Sequence, residues 1–234
     1  MNFSERKFLA LPERKQHKLA LENLRNLVDN QPNFYRNIEK LLKLPPANTH
    51  EEFANRHHEH AEKAKISLAE HNLLIRKGDR PSNTPFGPIG IYLDDLRSAH
   101  NVGSILRTTE AFRLGSVYFS EKTPYIDNKK VQDAAMGTSH IVPCSRDLET
   151  MPHPLIALET VKGAPSVFDF DFPESFTLVL GNEEYGVSEK MLKKCTIAVQ
   201  IPLLGSKNSL NVANAFAITG GQIAYGKPFT KQLA

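Results

Sequence analysis

Residues 178–188 read LVLGNEEYGVS: an apolar run that fits a buried strand, a polar loop bounded by Gly181 and Gly186, and Ser188 placed to start a helix. The same succession recurs on either side of it. LDDLRSAHNVGSILRTTEAF (residues 93–112) passes from an apolar residue through charged ones into a helical pattern, and IPLLGSKNSLNVANAFAI (201–218) does so again. Short apolar runs at 89–93, 116–119, 140–143, 155–158, 177–180 and 197–201 read as buried strands, and stretches 102–112, 129–136, 188–193 and 209–225 read as helices. Strand and helix in alternation predict an α/β domain with a mostly parallel sheet. In such domains ligands sit beyond the carboxyl ends of the strands, which makes the three quoted loops the candidate site.

Taken singly, each loop could be ordinary turn chemistry, because Asn, Ser and Gly are the expected residues at helix starts and tight turns. The middle loop is informative by what it lacks. GNEEYGVS has the spacing of a phosphate-binding loop, yet Val187 stands where the phosphate-pairing lysine belongs, and Glu183 and Glu184 occupy the cradle. Two carboxylates repel a triphosphate, so the loop suits a neutral or cationic ligand better and a nucleotide hydrolase is disfavoured. No G-x-G-x-x-G follows any strand, which leaves a dinucleotide reading without its fingerprint. Gly181 and Gly186 are expected to let a ligand approach the backbone closely.

Upstream the composition changes. Residues 1–85 hold 15 Lys and Arg against 11 Asp and Glu, one of the 13 glycines and six of the nine histidines, so they carry all of the chain's formal +3 charge and more. Apolar residues at helical spacing predict helices over 13–30 and 33–44, the second stopped by Pro45 and Pro46, and a longer one from about His50 to Gly78. Residues 79–88, with three prolines, read as a linker. The expected organisation is a helical, basic unit over 1–85 and an α/β domain over 86–234. The cluster HHEH at 57–60, with His71, lacks an i, i+4 ligand pair and reads as a solvated helix face, with no metal site expected. Phe3, Phe8, Phe34 and Tyr35 are candidate stacking aromatics for bases, with Phe34 on a core stripe.

At 234 residues the chain is long enough to bury a sizeable core. It has no apolar run near the ~18 residues of a membrane span and no secretory leader pattern, so the expected address is cytoplasmic, with no membrane partner. Cys144 and Cys195 are too few for a disulfide framework and read as buried or semi-buried thiols.

Together the three loops resemble the three motifs of the SpoU (TrmH-type) RNA ribose 2'-O-methyltransferases of the SPOUT superfamily. The first is carried by Asn101, Gly103, Arg107 and Thr108, the second by Gly181, Glu183 and Gly186, and the third by Ile201, Pro202, Gly205, Ser209, Leu210, Asn211 and Val212. The resemblance covers about residues 88–225. Two features depart from the family pattern: Arg113 and Leu114 precede Gly115, and Ala213 and Asn214 follow Val212.

The resemblance implies a C-terminal deep trefoil knot, S-adenosylmethionine as cofactor, a homodimer with the active site near its interface, and RNA (tRNA or rRNA) as substrate. The expected cofactor-binding residues are Gly181, Asn182, Glu183, Ile201, Leu203, Gly205, Ser209 and Leu210. The expected catalytic set is Arg107, Asn101, Glu183, Ser209 and Asn211, with Asn101 and Arg107 facing the RNA. The implied reaction is in-line attack of a ribose 2'-hydroxyl on the sulfonium methyl, much of the rate coming from alignment. Arginine stays protonated in proteins, so Arg107 fits better as a phosphate clamp and alkoxide stabiliser than as a base. His100, whose side-chain type titrates near neutrality, is the alternative base. The competing reading is a non-catalytic RNA-binding or assembly protein on the same scaffold.

Overall fold

The computed structural model describes residues 5–26, 32–67 and 82–226. It divides into two units, residues 1–82 and 83–234.

The first unit contains α1 (Glu5–Leu9), α2 (Glu13–Asn26), α3 (Pro32–Leu41) and α4 (His50–Ala64). Phe8, Ala20, Leu24, Tyr35 and Ile38 form its core, with Leu19, Leu41, Leu42 and Phe53 packed around them. Phe8 and Tyr35 are therefore core residues, and the reading of them as base-stacking aromatics is corrected; Phe3 and the Phe34 side chain lie outside the described residues. α1 has too few residues to show a periodicity, and its one buried side chain, Phe8, is what seats it.

α4 begins with a full capping box, Thr49 Oγ1 accepting from Glu52 N–H and the Glu52 carboxylate accepting from Thr49 N–H. It ends at Ala64 and not at Gly78, because Lys65 turns left-handed (φ 54°), its N–H donating to Glu62 O while Ile66 N–H donates to Ala61 O. Glycine usually makes that turn, so a lysine there gave no stop signal. Residues 68–78 of the expected helix, His71 among them, lie outside the described residues.

The histidine cluster is solvated only in part, through His58 and Glu59. His57 and His60 are buried, and His60 shares one hydrogen bond with His17 (Nδ1 to Nδ1, 2.8 Å) and another with the Tyr35 hydroxyl (Nε2 to Oη, 2.8 Å). The two imidazoles can share that bond only with one ring donating and the other accepting, so they are not both protonated. Burial, with the charges of His17, Arg56, Lys63 and His57 adding to it, pushes His60 down to about 3. His17 is likewise lowered by burial and Lys63, against the opposing pull of Glu13 and Glu59.

Between the ordinary value of 6.5 and about 3 the unfolded chain binds a proton that folded His60 refuses, so this unit loses stability as pH falls through that window. Amide protection factors in α2 and α4, measured on the full chain, are expected to fall together by roughly ten- to thirty-fold between about pH 7 and about pH 5. Equal protection at both values would show that the pair is not linked to folding.

The second unit is a six-stranded sheet of β1 (Ile89–Leu93), β2 (Gly115–Phe119), β3 (Cys144–Ser145), β4 (Leu155–Leu158), β5 (Phe176–Leu180) and β6 (Ile197–Val199), in the order β3-β2-β1-β5-β4-β6. Every pairing is parallel. Its helices are α5 (Ala99–Ala111), α6 (Lys129–Ala135), α7 (Glu189–Leu192) and α8 (Val212–Tyr225). Val102, Ile105 and Leu106 of α5, Val131 of α6, and Phe216 and Ile223 of α8 cover one face of the sheet over Ile89, Ile91, Leu93, Val117 and Leu178. The opposite face is closed by Tyr92, Tyr118, Met151, Val179, Val187 and Met191. Burial on both faces explains why the strands read as continuous apolar runs and not as alternating ones.

Two boundaries differ from the sequence reading. The strand expected at 140–143 is displaced to the two-residue β3, residues 138–140 forming a 3₁₀ turn and Pro143 offering only its carbonyl, to Val117 N–H. α8 starts at Val212, not at 209, because Asn211 is its N-cap. Gly103 has a packing reason: a Cβ there would stand 2.4 Å from Ala134 Cβ, so only glycine lets α5 and α6 approach so closely. Cys144 and Cys195 are both half-buried free thiols, pushed up by burial to about 12 and about 11.

Candidate functional site

Because all six strands run parallel, the loops after β1, β5 and β6 leave the same edge of the sheet, and one chain of side-chain hydrogen bonds ties them together. Glu183, on the loop after β5, accepts through Oε1 from Asn101 Nδ2 (2.8 Å) and Ser98 N–H (3.1 Å), and through Oε2 from Arg97 N–H (2.9 Å). Asn101, in the first turn of α5, accepts through Oδ1 from Asn211 Nδ2 (3.0 Å). Asn211 in turn caps α8, its Oδ1 accepting from the N–H groups of Ala213 (3.0 Å) and Asn214 (3.3 Å). Partial burial raises the Glu183 carboxyl, but the donors from Arg97, Asn101 and Ser98 outweigh it and hold the group below the usual carboxylate range.

The loop after β5 is also closed on itself. Asn182 and Gly186 exchange backbone hydrogen bonds of 2.9 Å, while Asn182 Nδ2 donates to Asp95 O (2.5 Å) and its Oδ1 accepts from Glu184 N–H (2.9 Å). Glu159, at the end of β4, accepts from Val187 N–H (2.9 Å), and buried Asp94 accepts from Ser188 N–H (2.7 Å). The Arg97 guanidinium pairs with Glu184. The two glycines are required by this closure. A Cβ at Gly181 would lie 2.2 Å from the backbone of Gly186, and one at Gly186, which sits at φ +74°, would lie 2.3 Å from the Glu159 carboxylate.

The segments that follow β4, β5 and β6 enclose a cleft of about 700 Å³, a size suited to a small-molecule ligand. Its apolar wall is Leu158, Leu180, Ile201, Leu203, Leu210, Val212 and Ala215; its polar groups include Glu159, Glu183, Glu184, Asn208, Ser209 and Asn211. Among the described residues no group of three His, Cys, Asp or Glu side chains is placed to hold a metal ion.

Of the residues singled out from sequence, Gly181, Asn182, Glu183, Ile201, Leu203, Ser209, Leu210 and Asn211 meet in this lining. Gly205 does not: it is exposed, and a Cβ there would meet nothing within 4 Å. Asn101 stands behind the wall as the link between Glu183 and Asn211. Arg107 is half-buried on α5, outside the lining, and His100 is exposed in the first turn of the same helix. Sequence reasoning missed Glu159, Asp94 and Asp95. Their only signal was an acidic residue directly after an apolar strand, which is also ordinary turn composition.

A profile of the SpoU rRNA Methylase family matches residues 88–220. The chain is 34% identical over 137 residues to the 23S rRNA (guanosine(2553)-2'-O)-methyltransferase RlmP of Bacillus subtilis (55% of this chain, 54% of that one). It is 31% identical over 145 residues to a 23S rRNA (uridine(2479)-2'-O)-methyltransferase of Streptomyces viridochromogenes (54% of this chain, 49% of that one). The chain thus spans about half the length of these curated relatives. Among solved structures it resembles the SpoU methyltransferase AviRb from Streptomyces viridochromogenes in complex with AdoMet, with a TM-score of 0.54 and 26% identity over 61% of each chain.

Proposed function

The chain belongs to the SpoU rRNA Methylase family, and from that premise we propose that it transfers a methyl group from S-adenosylmethionine to a ribose 2'-hydroxyl of rRNA or tRNA. The observation that carries the reading is the hydrogen-bonded chain Glu183–Asn101–Asn211, which ties the first motif to the second and third, whose loops line the cleft.

The cleft fits the cofactor. Its apolar wall suits the adenine, and the carboxylates of Glu159, Glu183 and Glu184 suit a ligand carrying a sulfonium and an ammonium. Gly181, Asn182, Ile201, Leu203, Ser209 and Leu210 would hold it, with Glu183 and Asn211 fixing the loops that contribute them. When bound, S-adenosylmethionine supplies a methyl group activated by the adjacent sulfonium. The residues of the chain then orient the attacking hydroxyl. A bond forms between the ribose oxygen and the methyl carbon as the carbon–sulfur bond breaks, its electron pair staying on sulfur, and the hydroxyl proton leaves to a base. Arg107 stabilises the developing alkoxide or clamps the neighbouring phosphate, and His100 takes the proton directly or through water.

The same reading includes a trefoil knot in the C-terminal part, a homodimer, RNA contact by the basic segment 1–85 and action in the cytoplasm. Arg107 and His100 lie outside the cleft of their own chain, which supports an active site completed at an interface between two copies. Exposed Ile218 and Tyr225 on α8 give that interface apolar surface.

Saturating S-adenosylmethionine or its demethylated product, at about 100 times Kd, is expected to raise the thermal midpoint by roughly 5–10 °C. ATP at the same concentration is expected to leave it in place. No shift with either methyl-cycle ligand would contradict the proposal and favour the non-catalytic reading.

A further inference from the structure

We propose that Tyr185 is the platform on which the base of the target nucleotide stacks, so that this ring helps to set the position of the ribose being methylated. The inference rests on the methyltransferase reading of the cleft and adds the group that receives the RNA.

Among the described residues Tyr185 is the one aromatic side chain that lines the cleft, and it is 57% exposed, which places it at the mouth. The large rings of the sheet, Tyr92, Tyr118, Phe119 and Phe176, are committed to the core. More than half of this ring stays exposed at the entrance of the cleft, where it is free to meet a ligand.

Its tether is built in detail. Tyr185 Oη donates to Asp95 Oδ2 (3.4 Å), and the same carboxylate oxygen accepts from Lys122 Nζ (2.9 Å). Asp95 is itself held in a left-handed conformation (φ 56°), its N–H donating to Ser120 Oγ (3.0 Å) and its carbonyl accepting from Asn182 Nδ2. The ring is thus anchored at its hydroxyl end to the loops after β1 and β2, while its faces remain open.

Charge decides what the ring receives. Asp95 holds its hydroxyl and Glu183 and Glu184 line the same cleft, three acids against the two cations Lys122 and Arg97 that pair with them, so the mouth disfavours a phosphate. A neutral base presenting its π-face is the part of an RNA that can approach, and bases splayed from single-stranded RNA are held by aromatic stacking.

The test is steady-state methyl transfer to unmodified rRNA and tRNA pools by the wild-type chain and its Tyr185→Ala, Tyr185→Phe and Tyr185→Trp variants. Stacking predicts that Tyr185→Ala raises KM for RNA by roughly five- to a hundred-fold with KM for S-adenosylmethionine unchanged, while the Phe and Trp variants stay within about three-fold of wild type. Because the chain has no tryptophan, the Tyr185→Trp variant also carries a unique fluorophore, which RNA should quench and S-adenosylmethionine alone should not. Quenching by the cofactor alone, a raised KM for the cofactor, or an unchanged KM for RNA in Tyr185→Ala would overturn the assignment. A wild-type chain that transfers no methyl group to either pool would instead sink the methyltransferase reading, and quenching by RNA would still report on the ring.

Discussion

Arg107→Ala is expected to lower kcat for methyl transfer by roughly 10²- to 10³-fold, the effect of removing one preorganised donor from a developing oxyanion. KM for S-adenosylmethionine should hardly move, because Arg107 lies outside the cleft proposed to hold it. Arg107→Lys should recover only part of the loss, since lysine keeps the charge but not the planar fork that grips a phosphate or alkoxide from two sides. His100→Ala is expected to cost less than Arg107→Ala, as removal of an auxiliary proton acceptor would. Single-turnover rates on the two variants decide between the roles. Near-normal transfer by Arg107→Ala with transfer lost in His100→Ala would reverse the assignment.

Glu183→Ala is the second large expected effect, and it acts through position. The carboxylate holds two backbone N–H groups of the β1 loop and the Asn101 amide, and through Asn101 it holds Asn211 at the start of α8. Removing it leaves three donors without that acceptor and loosens the register of the loops, which stay joined through Asn182–Asp95, Ser188–Asp94 and Asn211–Asn101. We expect roughly 10²-fold lower kcat/KM, in line with the cost of misplacing reacting groups by about 1 Å, and a loss of about 0.5–1.5 kcal/mol in stability, since water can replace an exposed acceptor. Asn101→Ala should cost nearly as much, and the double variant little more than either single one, because both belong to one network. Additive losses would show that the network does not act as a unit. Glu183 is held below the usual carboxylate range, so its contribution should be complete above pH 4.5 and fade only as pH falls through its lowered folded value.

Much of this architecture was legible in the sequence. Five of the six strands lie where apolar runs predicted them, because a sheet buried on both faces leaves no room for polar alternation. β3 was misplaced because it has only two residues, too short for any pattern. The loops stood out because helix caps and tight turns demand Asn, Ser and Gly, and eight of the expected site residues meet in one cleft. Composition could not reveal which partners those residues choose. The link from Glu183 to Asn101 spans 82 residues, and that from Asn101 to Asn211 spans 110; no local periodicity reports on contacts so far apart. The histidine reading failed for a related reason. His60 is buried because His17 and Tyr35, on two other helices, supply its hydrogen bonds, and spacing within HHEH is silent about either.

The central claim is tested most directly by incubating the full chain with S-adenosylmethionine labelled in its methyl group and unmodified rRNA or tRNA, digesting the RNA to nucleosides and locating the label. The account predicts label on the ribose 2'-oxygen of a nucleoside from one RNA class, incorporated roughly a hundred-fold or more slowly by the Arg107→Ala and Glu183→Ala variants. Label on a base would contradict the assignment of the acceptor, and absence of label from both pools, together with absence of cofactor binding, would contradict the reaction itself.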